Sequence, residues 1–152
     1  MKNLKSIRDQ FDTKYIEIRN SNIKGAGLGA FAKKNIKSGT KLGEYIGERI
    51  NYDNIDQYDV DALSKSQYRM TVGSKPNITI IDAREEFIEK TNWTRFVNSV
   101  LSIDSENLNV FSYQYNQKIY FKTLKDIKKG EELLIYYGND FWSKDKTSDS
   151  TK

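Results

Sequence analysis

What most constrains the fold is a succession of short strand-forming runs, each closed by a turn signal, with few helical stretches between them. Residues 15–19 are rich in strand formers and lead into a glycine cluster at 24–29. Residues 36–39 read as a turn into a strand through Leu42 and Ile46. Two further runs, 68–72 and 78–81, flank a Gly-Ser-Lys-Pro-Asn turn. Residues 110–115 and 119–122 alternate around Asn116-Gln117, which predicts a hairpin. Residues 133–137 are almost continuously apolar and predict a buried central strand. Helical pattern is confined to 54–63, a turn at 85–90, and Leu4, Ile7 and Phe11 near the N-terminus. The fold class is therefore mostly β (α+β), with residues 1–14 as an arm or short helix and one domain over 15–142. Residues 143–152 carry no apolar side chain and are expected to be disordered.

Two zeros narrow the chemistry: the 152 residues include no Cys and no His. Disulfides, Cys/His zinc sites, thiol nucleophiles, haem held by His and every Ser-His-Asp arrangement are excluded. Any acid–base work must fall to Tyr, Asp, Glu or Lys. With 37% hydrophobic residues the core is modest, and the 12% that are aromatic must carry much of it. The net charge of +4 reads mainly as a solvated lysine-rich surface, with a weak preference for acidic partners such as nucleosomes or nucleic acid. No apolar run approaches the roughly 20 residues of a membrane span, and the N-terminus lacks a signal-peptide centre. A soluble intracellular protein is expected.

One motif misleads. Gly25-Ala26-Gly27-Leu28-Gly29-Ala30 fits the dinucleotide-binding pattern, follows a strand, and has Glu44 at a suitable distance. That pattern works only where the loop opens a helix whose N-terminus faces the pyrophosphate. Here the next stretch stops at Ser38-Gly39, and no further βαβ unit follows. Two readings remain: a tight turn, or a turn that lets a ligand approach bare backbone.

Four segments then point the same way. Residues 27–32 (Gly-Leu-Gly-Ala-Phe-Ala) resemble the first motif of SET domains, the protein lysine methyltransferase family. Residues 43–48 (Gly-Glu-Tyr-Ile-Gly-Glu) resemble the strand that follows it. Residues 92–99 (Asn-Trp-Thr-Arg-Phe-Val-Asn-Ser) are similar to the Arg-Phe-x-Asn-His-Ser motif, and residues 130–138 to the closing Glu-Leu…Tyr motif. The four stand in family order. The Asn-Trp-x-Arg-aromatic-Val-Asn form without His is similar to PR-type SET domains, and 107–123 resemble the branch that marks meiotic recombination hotspots. The Cys-rich flanks of other branches are missing.

The resemblance implies several small curved sheets (a β-clip) with a C-terminal segment threaded through a loop, in the manner of a pseudoknot. It implies S-adenosyl-L-methionine as cofactor, no metal, and a lysine of a histone tail as substrate, which would place the protein in the nucleus. Carried over by position, Tyr137 is the catalytic tyrosine and Tyr45 a second phenol of the lysine channel. Ala26, Gly27, Leu28 and Gly29 would meet the cofactor through backbone, Asn98 and Ser99 would hold it, and Tyr68 would touch it. Phe141 or Trp142 would stack on its adenine. Phe121 stands where a relative has a further channel tyrosine, although Tyr120 lies adjacent; with Phe there, more than one methyl can be added. Arg95 reads as a structural ion-pair residue. Taken alone, Tyr137 is a core tyrosine at a strand end and Asn98 a turn residue; the four-motif context changes that. The alternative is a catalytically weak interaction module of the same family.

Overall fold

The computed structural model describes residues 3–57 and 60–137. Its opening helix, α1 (Leu4–Phe11), starts where the Asn3 side chain accepts a bond from the Ser6 amide at 2.8 Å, satisfying one of the helix's orphan donors. Its spacing buries Ile7 and Phe11, and the Phe11 ring meets Phe96 edge-on at 5.2 Å. Asp12 then accepts from the Ile18 amide, fixing the helix to β1 (Ile16–Asn20).

β1 pairs antiparallel with β2 (Leu28–Ala32) around a loop in which the Ser21 amide donates to the Gly27 carbonyl. A strand follows the glycines where a dinucleotide fold needs a helix. A second sheet orders β4 (Glu48–Asn51), β6 (Thr79–Asp82) and β5 (Arg69–Val72), with β6 in the middle. Between β4 and β5 the single helix expected over 54–63 is replaced by a 3-10 turn, Tyr52–Gln57, and a short helix, α2 (Val60–Lys65). The sequence there alternates Asp and Asn with apolar residues, and such residues weaken a helix interior.

The largest sheet collects β3 (Lys41–Glu44), β7 (Asn98–Ser99), β8 (Val110–Tyr115), β9 (Lys118–Thr123) and β10 (Leu134–Ile135) in the order β3-β9-β8-β10-β7. The β8–β9 hairpin turns on Asn116 and Gln117, both left-handed at φ 53° and 64°, as a two-residue turn between twisted strands requires. β10 lies between β7 and β8 and runs parallel to both. The chain from β7 to β8 must therefore cross over β10, which is the threading the family resemblance implied. Asn109 holds that crossing: its amide group donates to the Glu132 carbonyl, and its side-chain oxygen accepts from the Leu134 amide. Val100, Leu108 and Leu134 close over it in a small apolar cluster.

The strand expected over 133–137 is shorter than its apolar run. Only Leu134 and Ile135 pair with β7, because β7 is two residues long. Tyr136 and Tyr137 leave the ladder. The mostly β expectation holds, and the main core gathers Ile16, Ile18, Tyr45, Phe121, Leu133 and Ile135 where the sheets meet. No helix among the described residues is long and apolar enough to cross a membrane.

Candidate active site

Two adjoining hollows open beside the glycine loop, about 580 and 320 Å³ in volume. They share Ala26, Tyr68, Arg95 and Asn98 and so form one cleft with two lobes. The larger lobe runs past Ser99 to Tyr137; the smaller is walled by Gly27, Leu28 and, from α1, Leu4 and Ile7. Gly25 and Gly27 have φ of +83° and +76°, a conformation side chains rarely accept. No heavy atom lies within 4 Å of where their Cβ atoms would stand, apart from their chain neighbours. Backbone is thus presented bare to open space.

Gly29 is different. It lies on β2, and a Cβ there would come 2.3 Å from a carboxylate oxygen of Glu132. Its size makes room for a buried charge. The Glu132 carboxylate is 5% exposed, and it accepts from the Ser21 hydroxyl (2.7 Å), the Asn22 amide (2.9 Å) and Asn98 Nδ2 (3.2 Å). Asn98 Nδ2 also donates to the Leu28 carbonyl at 3.1 Å. One carboxylate therefore ties the glycine loop, β7 and the segment leading into β10 together, and it reaches the cleft through Asn98.

Behind the cleft sits a set of rings. Tyr45 is 1% exposed, stacks at a tilt on Phe121 with centroids 5.6 Å apart, and donates its hydroxyl to the Tyr68 carbonyl. Tyr137 borders the larger lobe, where its hydroxyl donates to the Val97 carbonyl at a long 3.4 Å and its amide donates to Ser99 Oγ. Burial pushes both phenols well above the usual tyrosine value; Tyr137 itself raises Tyr45 further, and Tyr68 raises Tyr137. Both are neutral hydroxyls throughout the physiological range. Phe121, fully buried, faces Tyr45, whereas Tyr120 points to the other side of β9 and stacks on Tyr113.

Of the residues singled out from sequence, Ala26, Gly27, Leu28, Tyr68, Asn98, Ser99 and Tyr137 border the cleft. Tyr45 and Phe121 back it, and Phe141 and Trp142 lie outside the described residues. Arg95 does make its expected ion pair, at 3.9 Å from Glu85, but it also lines both lobes. Its guanidinium lies 4.4 Å from the Tyr68 ring centre, and its Nε donates to the Ala83 carbonyl at 2.7 Å. Glu132 and the α1 side chains were not foreseen; two adjacent glutamates in Gly-Glu-Glu-Leu give no sign of which is buried. Among the described residues, no three carboxylates gather as a metal site.

A family model described as the PR domain of PR domain zinc finger protein 2 matches residues 16–147. The human PR domain zinc finger protein 2 is 35% identical over 115 residues, covering 74% of this chain and 6% of the relative. The Caenorhabditis elegans protein named histone-lysine N-methyltransferase set-17 is 32% identical over 124 residues, covering 82% and 41%. The chain thus spans well under half the length of these curated relatives. Among solved structures, the methyltransferase domain of human PR domain-containing protein 2 matches with a TM-score of 0.66 at 29% identity, over 90% of this chain and 85% of that one. A Cryptosporidium SET-domain structure, CpSET8, matches at 0.63 and 26%, over 82% and 57%. With a family match that begins at β1 and runs past β10, the chain belongs to the PR domain family, the PR-type branch of the SET-domain proteins.

Proposed function

We propose that this PR domain transfers methyl groups from S-adenosylmethionine to the ε-amine of a lysine in a histone tail. The observation that carries the reading is the junction of two unlike surfaces: a cleft edged by bare backbone at Gly25 to Gly27 meets buried, neutral phenols at Tyr137 and Tyr45. The first suits a polar cofactor held through main chain, and the second suits an amine that must shed its water. The relatives named as histone-lysine methyltransferases support the substrate class.

The cleft fits S-adenosylmethionine in chemistry as well as in room. Ala26 and Gly27 offer backbone to its methionine portion, Asn98 and Ser99 offer amide and hydroxyl groups, and the Tyr68 ring backed by Arg95 offers an aromatic face. When bound, the cofactor supplies a methyl group already activated on a sulfonium. This chain's residues must then provide position and a dry path. A free lysine has a pKa of about 10.4 and is charged at neutral pH. An amine entering the larger lobe beside Tyr137, with Tyr45 and Phe121 packed behind, would lose water, which disfavours the ammonium, so it would react neutral and its proton would leave to water. Neither phenol serves as the base, since burial keeps both protonated. The Tyr137 hydroxyl, whose bond to Val97 is long and readily exchanged, accepts an amine hydrogen and turns the lone pair toward the methyl.

The test is incubation with radiolabelled S-adenosylmethionine and recombinant histones, intact and with tail lysines substituted. Label lost on one substitution supports the reading. In parallel, the cofactor at 100 times its Kd should stabilise the fold by about 2.7 kcal/mol. Absence of any thermal shift at saturation would instead favour an interaction module that does not bind the cofactor.

A further inference from the structure

The outward face of the β8–β9 hairpin plays no part in the site above. Strand alternation turns Ile119, Phe121 and Thr123 into the core and Lys118, Tyr120 and Lys122 out of it. The register sets Phe111 opposite Lys122, Tyr113 opposite Tyr120, and Tyr115 opposite Lys118. Lys41 on β3 is opposite Lys122 on the other side and reaches over the Tyr120 ring at 3.9 Å from its centre. Four rings thus occupy one sheet face, with lysines at both ends and a third beside the middle pair. Glu44, opposite Tyr120, is the one acidic residue in this register. Residues 107–125 contain no Asp or Glu, in a chain that has 21.

A purely structural account explains part of this. Cross-strand aromatic pairs stabilise hairpins, and Tyr113 stacked on Tyr120 at 5.6 Å is such a pair. It does not explain why Tyr115 is left 70% exposed and Phe111 37%, nor why so long a stretch is free of acids. Exposed rings flanked by ammonium groups are the two halves of a surface for single-stranded nucleic acid: every base has a π-face to stack, and each phosphate finds a cation. From Phe111 to Tyr115 the face extends about 13 Å, room for two or three nucleotides.

We propose that this face, built from Phe111, Tyr113, Tyr115 and Tyr120 with Lys41, Lys118 and Lys122, binds single-stranded RNA or DNA independently of methyl transfer. Bases stack on Phe111 and Tyr115, the two exposed rings, while the lysines meet the phosphates. A double helix, whose bases are already stacked, cannot use the rings.

The experiment is fluorescence anisotropy with labelled 15-mers of deoxythymidine and of uridine, against a duplex 15-mer and polyglutamate. Binding to the single strands should be tighter than to the other two. Its affinity should fall with salt at a log–log slope near −2, from three lysines at about 0.7 each on a single strand. Tyr115→Ala and Phe111→Ala, at exposed positions, should each weaken binding by about five- to a hundredfold, the range that base stacking on one ring supplies. Lys118→Glu with Lys122→Glu should abolish binding, and circular dichroism on each variant checks the fold. A preference between the uridine and thymidine strands would identify the natural ligand as RNA or DNA. The proposal fails if duplex or polyglutamate binds equally well, or if the ring variants bind as the parent does. It also fails if sedimentation shows a dimer that Tyr115→Ala dissolves, since the face would then be a contact between copies.

Discussion

Gly29→Ala isolates the role of the carboxylate that holds Asn98. The backbone at Gly29 tolerates alanine, because its φ is not left-handed, and on conformational grounds the change should stabilise by about 0.4–1 kcal/mol. Space decides otherwise. The new methyl would stand 2.3 Å from Glu132 Oε2 and 3.1 Å from its Cδ, well inside contact distance. β2 is held on its other side by pairing with β1 and cannot retreat, so Glu132 must swing away. It then gives up its bonds from Ser21, Asn22 and Asn98. Bonds to a charged group contribute about 1.5–3 kcal/mol each, and waters recover part, so a loss of about 3 kcal/mol is expected. After the conformational gain, the net destabilisation is about 2 kcal/mol, which lowers the urea midpoint by roughly 1 M at an m-value near 2 kcal/mol/M.

The same reasoning predicts non-additivity. Glu132→Ala loses those bonds by itself, at a cost of about 3 kcal/mol. In the double variant the methyl enters space the carboxylate has left, so adding Gly29→Ala should cost nothing further and keep its conformational gain, a coupling of about 3 kcal/mol. Urea unfolding followed by circular dichroism measures all four corners of the cycle. Additive effects, or a Gly29→Ala midpoint within about 0.2 M of the parent, would refute the claim that this glycine exists for Glu132.

Tyr137→Phe removes a hydroxyl whose bond to the Val97 carbonyl is 3.4 Å long, so stability should change by less than about 1 kcal/mol while methyl transfer falls by orders of magnitude; near-full activity would mean another group orients the amine. Phe121→Tyr would set a hydroxyl against the Tyr45 ring and narrow the passage, so mass spectra of product peptides should shift from several methyl groups toward one; a parent enzyme that already stalls at one methyl would contradict this. Transfer should rise with pH from roughly 7 to 9 as the substrate amine becomes neutral, and Tyr45→Phe should leave that slope intact, because burial holds the phenol protonated over the range; a slope lost with the hydroxyl would mean the phenol ionises. Stability runs the other way: Tyr45 titrates higher folded than its ordinary 10.0, so its contribution is complete below pH 10 and fades as pH rises through the folded value. About 1 kcal/mol should go between pH 10 and 11, and Tyr45→Phe should flatten that loss in urea titrations.

The parts of this fold that were legible are those whose cause is local. Alternation on either side of Asn116-Gln117 specified the β8–β9 hairpin, whereas which of Tyr120 and Phe121 looks toward Tyr45 was left open and came from the structure. The 4-7-11 spacing likewise specified α1. What escaped is set by distant partners. The apolar run 133–137 has the composition of a full strand, but its length is limited by β7, which lies 35 residues earlier and ends after two residues. Glu131 and Glu132 are neighbours in the same motif, one exposed and one buried, and only the position of Gly29 distinguishes them. The threading of β10 between β7 and β8 has no local signature at all; it was reached through motif order, not through periodicity.

The cleft and the rings behind it are mechanically one object, and the second sheet is what joins them. The Tyr68 carbonyl, just before β5, accepts both the Tyr45 hydroxyl and the Ala83 amide. The Ala83 carbonyl, just after β6, accepts Arg95 Nε, and the Arg95 guanidinium returns to the Tyr68 ring from below. The loop closes on itself through Tyr68, Ala83 and Arg95, with Tyr45 tied to it at the Tyr68 carbonyl, and Tyr68 and Arg95 line both lobes of the cleft. Gly47 lets this happen: a Cβ there would stand 2.5 Å from the Asp82 carbonyl oxygen, so a side chain would push β4 off β6. A displacement of the Tyr68 segment must therefore disturb the Tyr45 hydroxyl, because the same carbonyl serves both. Under the proposed reading, such a construction would keep the wall of the cleft and the phenol behind it in fixed register, which methyl transfer by positioning would require.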